Sequence, residues 1–292
     1  MSVASAPALG RPAPPWRTVT GALALAVLAG FVYASNAAAL WNTWTTNDNY
    51  SHGPLVPLVS LALVVSRRDK LRALPVRGDS RGLLLVALAC FMHVAGVRAD
   101  LFALQTWSLL ALLFGLALTF GGTAVTRMLA FPIAYLGFML TFPPVVMNTL
   151  SFALKGFALG GAVRGAEALG AHVHRTGMQI FFPSGELRVE DPCSGLRSLL
   201  ALLAIATLFA YLQKGGLWRR AVVMLAAIPI ALAGNLVRLL LLLVAASARG
   251  VDWATGGFHV VTGYAMFVVA LALLLALRSA LTPRRAPRGG AR

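Results

Sequence analysis

Residues 221–248 read AVVMLAAIPIALAGNLVRLLLLLVAASA, a run of 28 residues in which Arg238 is the single charge. About 20 predominantly apolar residues are enough for a helix to cross the hydrocarbon core of a bilayer. This run therefore predicts a transmembrane helix. A charge inside such a helix costs at least about 2.5 kcal/mol, so Arg238 needs a polar partner or a wet cavity.

The rest of the chain repeats this pattern. The 292 residues are 59% hydrophobic and 12% charged, with a mean hydropathy of +0.79, whereas soluble domains are about half apolar and a quarter charged. Long apolar runs alternate with short polar or basic stretches, which predicts an all-α polytopic membrane protein with about eight transmembrane helices. The predicted helices are Val19–Leu40, Gly53–Ser66, Gly82–Val97, Phe102–Phe120, Thr123–Met147, Cys193–Leu212, Ala221–Ala248 and Gly257–Leu277.

The basic residues predict the topology. With the N-terminus inside, 17 of the 25 Lys and Arg residues fall on the cytoplasmic side, which is the side they favour. The arrangement is N-in and C-in, and it places Asn148–Pro192, Cys193 and His259 at the extracytoplasmic face. The net charge of +16 sits in short loops and in the tail, so we do not expect nucleic-acid binding.

The chain is predicted to hold one domain. Residues 1–17 form a cytoplasmic lead, residues 18–280 a single transmembrane domain, and residues 281–292 a basic disordered cytoplasmic tail. The Pro-rich lead lacks a small-residue cleavage site, so the first helix is expected to be a retained anchor. Of the two cysteines, Cys90 lies inside an apolar run, which argues against a disulfide framework.

The long segment before the sixth predicted helix has two parts. Leu150–Leu169 is apolar but carries three charges, which favours an amphipathic helix lying in the outer interface. The alternative is a true span, which would change the helix count. His172–Asp191 mixes Gly and Pro with β-favouring residues and predicts a loop or small hairpin.

Cys193 is well placed for reactivity. It follows Pro192 at the start of the sixth predicted helix, where unpaired N–H groups and the helix dipole favour a thiolate. Arg197, one turn later, shares its face, and the same N–H groups could contribute to an oxyanion hole. The alternative is an inert interfacial cysteine.

Arg238 and His259 interrupt the last two predicted helices. Arg238 could act on substrate, or it could be tied structurally to backbone carbonyls or to Asn235, one turn away. His259 at a helix start is expected to be neutral and able to act as a base, or simply to bind water.

Together, Cys193, Arg238 and His259 suit acyl transfer through a thioester, with a nucleophile, an oxyanion stabiliser and a proton shuttle. Arg238 lies about 10 Å deeper than the other two at 1.5 Å per residue. Either the seventh helix is interrupted near Pro229 or Gly234, or the site is a cavity sunk into the membrane.

From about Trp41 to Leu277 the chain resembles the exosortase/archaeosortase family of membrane transpeptidases. The stretches that carry the resemblance, in family order, are Asn49–Gly53, Pro192–Ser198, Asn235–Arg238, and His259 with Gly263. The resemblance implies Cys193 as nucleophile, Arg238 as oxyanion stabiliser and His259 as acid and base. It also implies substrates that are secreted, membrane-anchored proteins whose C-terminal tails carry a Pro-Glu-Pro motif, a transmembrane helix and a basic tail.

Other polar residues are assigned supporting roles. His52, Arg197 and Asn235 are expected to support the site, with His52 equally well explained as a helix-start residue. Three arginines of the outer segment are candidates to bind the substrate's glutamate, namely Arg164, Arg175 and Arg188. No metal site or cofactor is expected, because His172 and His174 lack further ligands nearby.

The sequence thus predicts an enzyme of the bacterial inner membrane with its active site facing the periplasm, working on protein tails in the bilayer. Two other classes stay open: a polytopic transporter, and a non-catalytic subunit of an envelope polysaccharide or export system. Tolerance of Cys193→Ala separates them from the enzyme. Oligomeric state is not predicted.

Overall fold

The structure is a computed structural model that describes residues 15–182, 185–188 and 195–282. Helices dominate it, as the composition predicts. The α-helices are α1 Pro15–Val32, α2 Ala34–Thr46, α3 Leu55–Val65, α4 Arg68–Arg72, α5 Gly82–Arg98, α6 Phe102–Leu116, α7 Gly122–Tyr135, α8 Pro144–Ala168, α9 Leu196–Leu212, α10 Leu217–Arg249, α11 Val251–Thr255 and α12 Gly257–Leu281. Short 3-10 turns cover Asp48–Tyr50 and Leu136–Met139, and a π turn covers Ala117–Gly121.

Within the described residues, four helical stretches are long and apolar enough to cross a membrane: Phe102–Met139, Pro144–Ala168, Leu217–Arg249 and Gly257–Leu281. Shorter apolar helices lie at Gly82–Arg98 and Leu196–Leu212. The all-helical membrane architecture agrees with the sequence. The count of eight spans and the N-in, C-in orientation stay predictions. The predicted lead and basic tail fall largely in residues 1–14 and 283–292, outside the described residues.

The predicted fifth helix, Thr123–Met147, is wrong as a continuous element. The helical backbone ends at Met139, and α8 begins only at Pro144. The reason is the pair Pro143-Pro144: proline has no N–H and fixes φ, so it belongs in the first turn of a helix rather than its interior. One helix of 25 residues therefore joins the end of the predicted fifth span to the predicted interfacial segment.

Helix α8 has the contacts of a membrane-crossing helix. A Cβ at Gly161 would lie 2.7 Å from Leu236, and one at Gly165 would lie 3.1 Å from Leu240, so small residues let α8 approach α10 closely. A step of four residues along α8 corresponds to a step of four residues along α10, so the two helices run in the same direction. Length, hydropathy and direction together favour the alternative of a true span.

The His172–Asp191 segment contains a small antiparallel sheet, in agreement with the predicted hairpin. Its strands are β1 His174–Thr176, β2 Gln179–Phe182 and β3 Gly185–Arg188, in the order β1-β2-β3. Ile180 and Phe182 are buried in one apolar cluster with Leu239 and Leu243 of α10. The sheet is therefore packed onto the C-terminal half of α10.

The chain divides into two compact units, of which the second holds the predicted site residues. In the first, made of residues up to 42 and 57–140, α5 and α6 pack closely through glycines such as Gly82 and Gly115. The second comprises residues 43–56 and the chain from 141 onward. There α10 is central, in contact with α8, α9, α11 and α12.

Candidate active site

Helix α10 carries Arg238 without a break. It is helical from Leu217 to Arg249, through both Pro229 and Gly234, so of the two alternatives left open by the sequence, the interrupted helix is wrong. The segment that follows α10 brings His259 to the depth of Arg238. Gly250 takes φ 92°, a value that glycine adopts readily, and α11 then packs against α10 and α12. Helix α12 can therefore present His259 beside the C-terminal half of α10.

Arg238 and His259 meet directly. Arg238 Nη2 lies 2.8 Å from His259 Nε2, although the two residues are 21 positions apart. A guanidinium can only donate hydrogen bonds, so His259 Nε2 must be the acceptor. The imidazole is therefore neutral, with its proton on Nδ1. This contact gives the intramembrane arginine the polar partner that its burial requires.

A glycine makes room for this pair. Gly263 lies one turn after His259 on α12, and a Cβ there would be 3.2 Å from Arg238 Nη2 and 3.3 Å from its Cζ. The guanidinium thus rests against the backbone of α12, where a larger side chain would displace it. Among the described residues, the buried Nε of Arg238 has no hydrogen-bond partner. One N–H donor of the guanidinium therefore has no acceptor among the described residues in this arrangement.

The start of α9 lies against the same part of α10. Gly195 takes φ 76°, and a Cβ there would fall 2.7 Å from Cγ of Asn235, which is only 7% exposed. Both the left-handed conformation and the close approach require glycine. Cys193, the predicted nucleophile, lies outside the described residues, two positions before Gly195 in the chain.

A small cavity of about 20 Å³ lies between α9, α10 and α12. Ser198, Asn235 and Arg238 supply polar groups to its lining, and Leu202, Met266 and Phe267 are among its apolar walls. This is enough room for one water molecule. The cavity fits the alternative of a site sunk between the helices better than that of a broken helix.

Arg197 and His52, both predicted to support the site, lie close to the 3-10 turn Asp48–Tyr50, which contacts α9. Arg197 forms an ion pair with Asp48, a contact that the sequence analysis did not predict. His52 follows the 3-10 turn and is half-buried, and its carbonyl accepts the N–H of Leu55, the first residue of α3. A signal for the Asp48 contact was present, since Asp48 immediately precedes the Asn49–Gly53 motif.

The structure brings two of the three outer arginines together. Arg164 Nε donates to the carbonyl of Gly160 at 3.1 Å, and Arg175 Nε donates to that of Gly177 at 2.8 Å. Both guanidinium groups lie beside Gly160, since a Cβ there would be 3.2 Å from Arg175 Nη1 and 3.8 Å from Arg164 Nη2. The side chain of Arg188 lies outside the described part of the chain.

A family model described as transmembrane exosortase matches residues 44–276, which include every residue of the candidate site. The chain belongs to the transmembrane exosortase family. No curated protein and no solved structure matches it. Membership confirms the resemblance and gives this exosortase a broad role as a multi-pass membrane peptidase or transpeptidase that processes substrates with sorting signals.

In residues 15–182, 185–188 and 195–282, no group of three or more His, Cys, Asp or Glu side chains is arranged to hold a metal ion. The arrangement that is present, a charged donor against a neutral imidazole, suits the stabilisation of a developing anion and the transfer of a proton.

Proposed function

We propose that this exosortase is a cysteine transpeptidase that cleaves C-terminal sorting signals of secreted proteins at the outer face of the bacterial inner membrane. The proposed signal is a Pro-Glu-Pro motif followed by a transmembrane helix and a basic tail. The contact between Arg238 and His259, beside the start of α9, is the observation that supports this most directly. It joins two of the three proposed catalytic residues, and the third, Cys193, is two positions from Gly195 in the chain.

In the proposed reaction, Cys193 Sγ attacks the scissile carbonyl and forms a tetrahedral intermediate with a negative oxygen. Arg238 donates hydrogen bonds to that oxygen. As the substrate carbonyl binds, the guanidinium turns away from His259 Nε2 and toward the carbonyl oxygen. His259 Nε2 then takes the thiol proton of Cys193 as Sγ attacks, and it gives that proton to the leaving amine. The C–N bond breaks, and the thioester passes its acyl group to water, an amine or a lipid.

Arg164 and Arg175 are proposed to bind the glutamate of the motif. Each Nε is held by a backbone carbonyl, so the Nη groups stay directed toward one place beside Gly160. Two converging guanidinium groups can bind a carboxylate through several charge-assisted hydrogen bonds. Because the pair is exposed, salt should weaken its effect.

Arg164→Gln with Arg175→Gln tests this recognition. We expect this double variant to raise KM for a Pro-Glu-Pro peptide about tenfold. On the wild type, replacing the peptide's Glu with Gln should raise KM by the same factor. On the variant, the same peptide change should alter KM little. Arg249→Gln, which removes an arginine that stacks on Trp253, is the matched control. Unchanged kinetics after further neutralising Arg188 would assign the motif to another surface.

The reaction itself is tested by trapping the covalent intermediate. Purified wild-type and His259→Gln proteins are each incubated with a synthetic tail peptide, quenched in acid during turnover and analysed by intact and peptide mass spectrometry. The proposal predicts an added mass equal to the acyl fragment on the peptide containing Cys193 and none on the peptide containing Cys90. Peptide cleavage by the wild type without a thioester on Cys193, in either protein, would contradict the mechanism.

A further inference from the structure

The turn formed by residues 47–53 is fixed from several sides. Asn47 caps it, since its Oδ1 accepts the N–H of Asn49 at 3.1 Å. Tyr50 is only 5% exposed, and its hydroxyl accepts the Phe142 N–H at 3.0 Å. Burial raises the pKa of Tyr50, so the hydroxyl stays neutral. The turn therefore has little freedom to move.

This turn lies against α9, and its acidic residue, Asp48, contacts an arginine of the proposed active site. Asp48 Oδ1 pairs with Arg197 Nη2, on the first turn of α9 and four residues after Cys193. The buried Nε of Arg197 has no hydrogen-bond partner among the described residues. Asp48 therefore supplies an ion pair that can orient this guanidinium.

Stability alone explains this ion pair poorly. The side chains of Asp48 and Arg197 are 59% and 42% exposed, and exposed pairs typically contribute about 0–1 kcal/mol. Arg197 also experiences the positive charge of Arg238, so the Asp48 carboxylate offsets a repulsion between two arginines of one site. A role in the electrostatics and geometry of the site is compatible with this small expected contribution to folding.

We propose that Asp48 is a positioning residue for catalysis, which holds Arg197 in the orientation that the Cys193 reaction needs. The inference rests on the proposed function and extends it, because it assigns the Asn47–Gly53 turn a role in the chemical step. Substrate need not touch Asp48. Its effect passes through Arg197, so it should disappear when Arg197 is absent.

The test is a double-mutant cycle on peptide processing, with Asp48→Asn, Arg197→Gln and the double variant. We expect Asp48→Asn to lower kcat about tenfold with KM changed less than about twofold, since small misplacements near a reacting group reduce turnover. In the Arg197→Gln background the same change should have no further effect. Asp48→Glu should recover most of the turnover, and Asp69→Asn, which removes the acid of the exposed Arg68–Asp69 pair, should be silent.

Additive losses in the cycle, or wild-type kcat in Asp48→Asn, would overturn the proposal. A loss explained fully by a smaller folded fraction, measured by thermal unfolding, would also overturn it. A second readout needs no substrate: the iodoacetamide alkylation rate of Cys193, measured with the exposed Cys90 replaced by Ser. Asp48→Asn should slow alkylation about threefold when Arg197 is present and not in Arg197→Gln. If the wild type did not process the peptide, the proposed function would be rejected. If Cys193 were alkylated at the same rate with and without Asp48→Asn, the positioning role would be rejected.

Discussion

Both units of the molecule bury polar side chains among apolar helices, but they do so differently. In the unit of residues 15–42 and 57–140, neutral groups pair with one another: Tyr33 with Ser108 at 2.5 Å, and Asn36 with Gln105 at 2.9 Å. Gln105 uses its amide again on the carbonyl of Gly96 at 3.1 Å. In the other unit, the charged Arg238 has a neutral histidine as partner and keeps a donor free of partners among the described residues.

We interpret the neutral pairs as structural and propose that the charged pair is functional. Neutral groups that satisfy each other hold helices in register at modest energy, on the order of 1 kcal/mol per hydrogen bond in membranes. A buried charge with unused donors is costly and persists where a ligand or a reaction uses it.

The two cysteines give the strongest contrast. Cys193→Ala should abolish tail cleavage, a loss on the order of 10⁴-fold or more, because no other nucleophile replaces the thiolate. Cys90→Ala, in the first unit, should leave turnover unchanged because Cys90 is an exposed residue on α5. Purified proteins with matched thermal midpoints, assayed on one peptide, give the comparison. Equal processing by wild type and Cys193→Ala would end the cysteine mechanism.

The two histidines within helices give the next contrast. In His259→Gln, the amide oxygen can still accept from Arg238, but the side chain cannot carry a proton, so turnover should fall about 10³-fold. His93→Gln changes a residue whose ring packs 4.6 Å from that of Tyr33, and turnover per folded molecule should hold. If His259→Gln retained turnover, His259 would be only a structural partner of the arginine.

Arg238→Lys keeps the charge and loses the planar fork of donors. Turnover per folded molecule should fall about 10²-fold, the scale seen when one oxyanion-hole donor is removed. Thiol alkylation of Cys193 should change much less, because the substitution leaves Gly195 and Arg197 at the start of α9 unchanged. Near-normal turnover in a well-folded protein would rule out the oxyanion role and make Arg238 resemble the structural residues of the first unit.

Gly263→Ala tests how tightly the guanidinium is held. The new Cβ would lie 3.2 Å from Arg238 Nη2, so the side chain must shift by a few tenths of an ångström, and turnover should fall about fivefold. Gly257→Ala on the same helix is the matched control, since a Cβ there meets nothing within 4 Å. Equal kinetics for both variants would show that the arginine tolerates displacement.

Gln105→Leu should have the smallest effect on turnover. It leaves the Asn36 amide without its partner in the first unit and should lower the free energy of unfolding by about 1 kcal/mol. Turnover per folded molecule should stay at the wild-type value. A loss of turnover at full folding would mean that this polar network also serves the reaction, and the contrast between the units would fail.

Local sequence patterns predicted the helical membrane class and the hairpin of residues 172–191, because hydrophobic runs and turn residues act over short distances. They failed at the boundary before α8. Hydropathy continues smoothly from Thr123 to Met147, and only Pro143-Pro144 signals the break. The π turn at Ala117–Gly121 had no comparable signal.

The sequence by itself determined which residues are chemically unusual. Arg238 and His259 stand out because a charge or an imidazole within an apolar helix carries an energetic penalty that requires a reason. Their roles, and that of Cys193, remain predictions. The sequence also determined the family, through motifs that keep their order along the chain.

Only the tertiary structure decided how these residues meet. An unbroken α10, followed by α11 folded back onto it, places His259 within hydrogen-bonding distance of Arg238. The pairing of Asp48 with Arg197 spans 149 residues of sequence and depends on the packing of the 47–53 turn against α9. Hydropathy fixes where a helix lies along the chain, whereas rotation, depth and partners follow from contacts between helices distant in sequence.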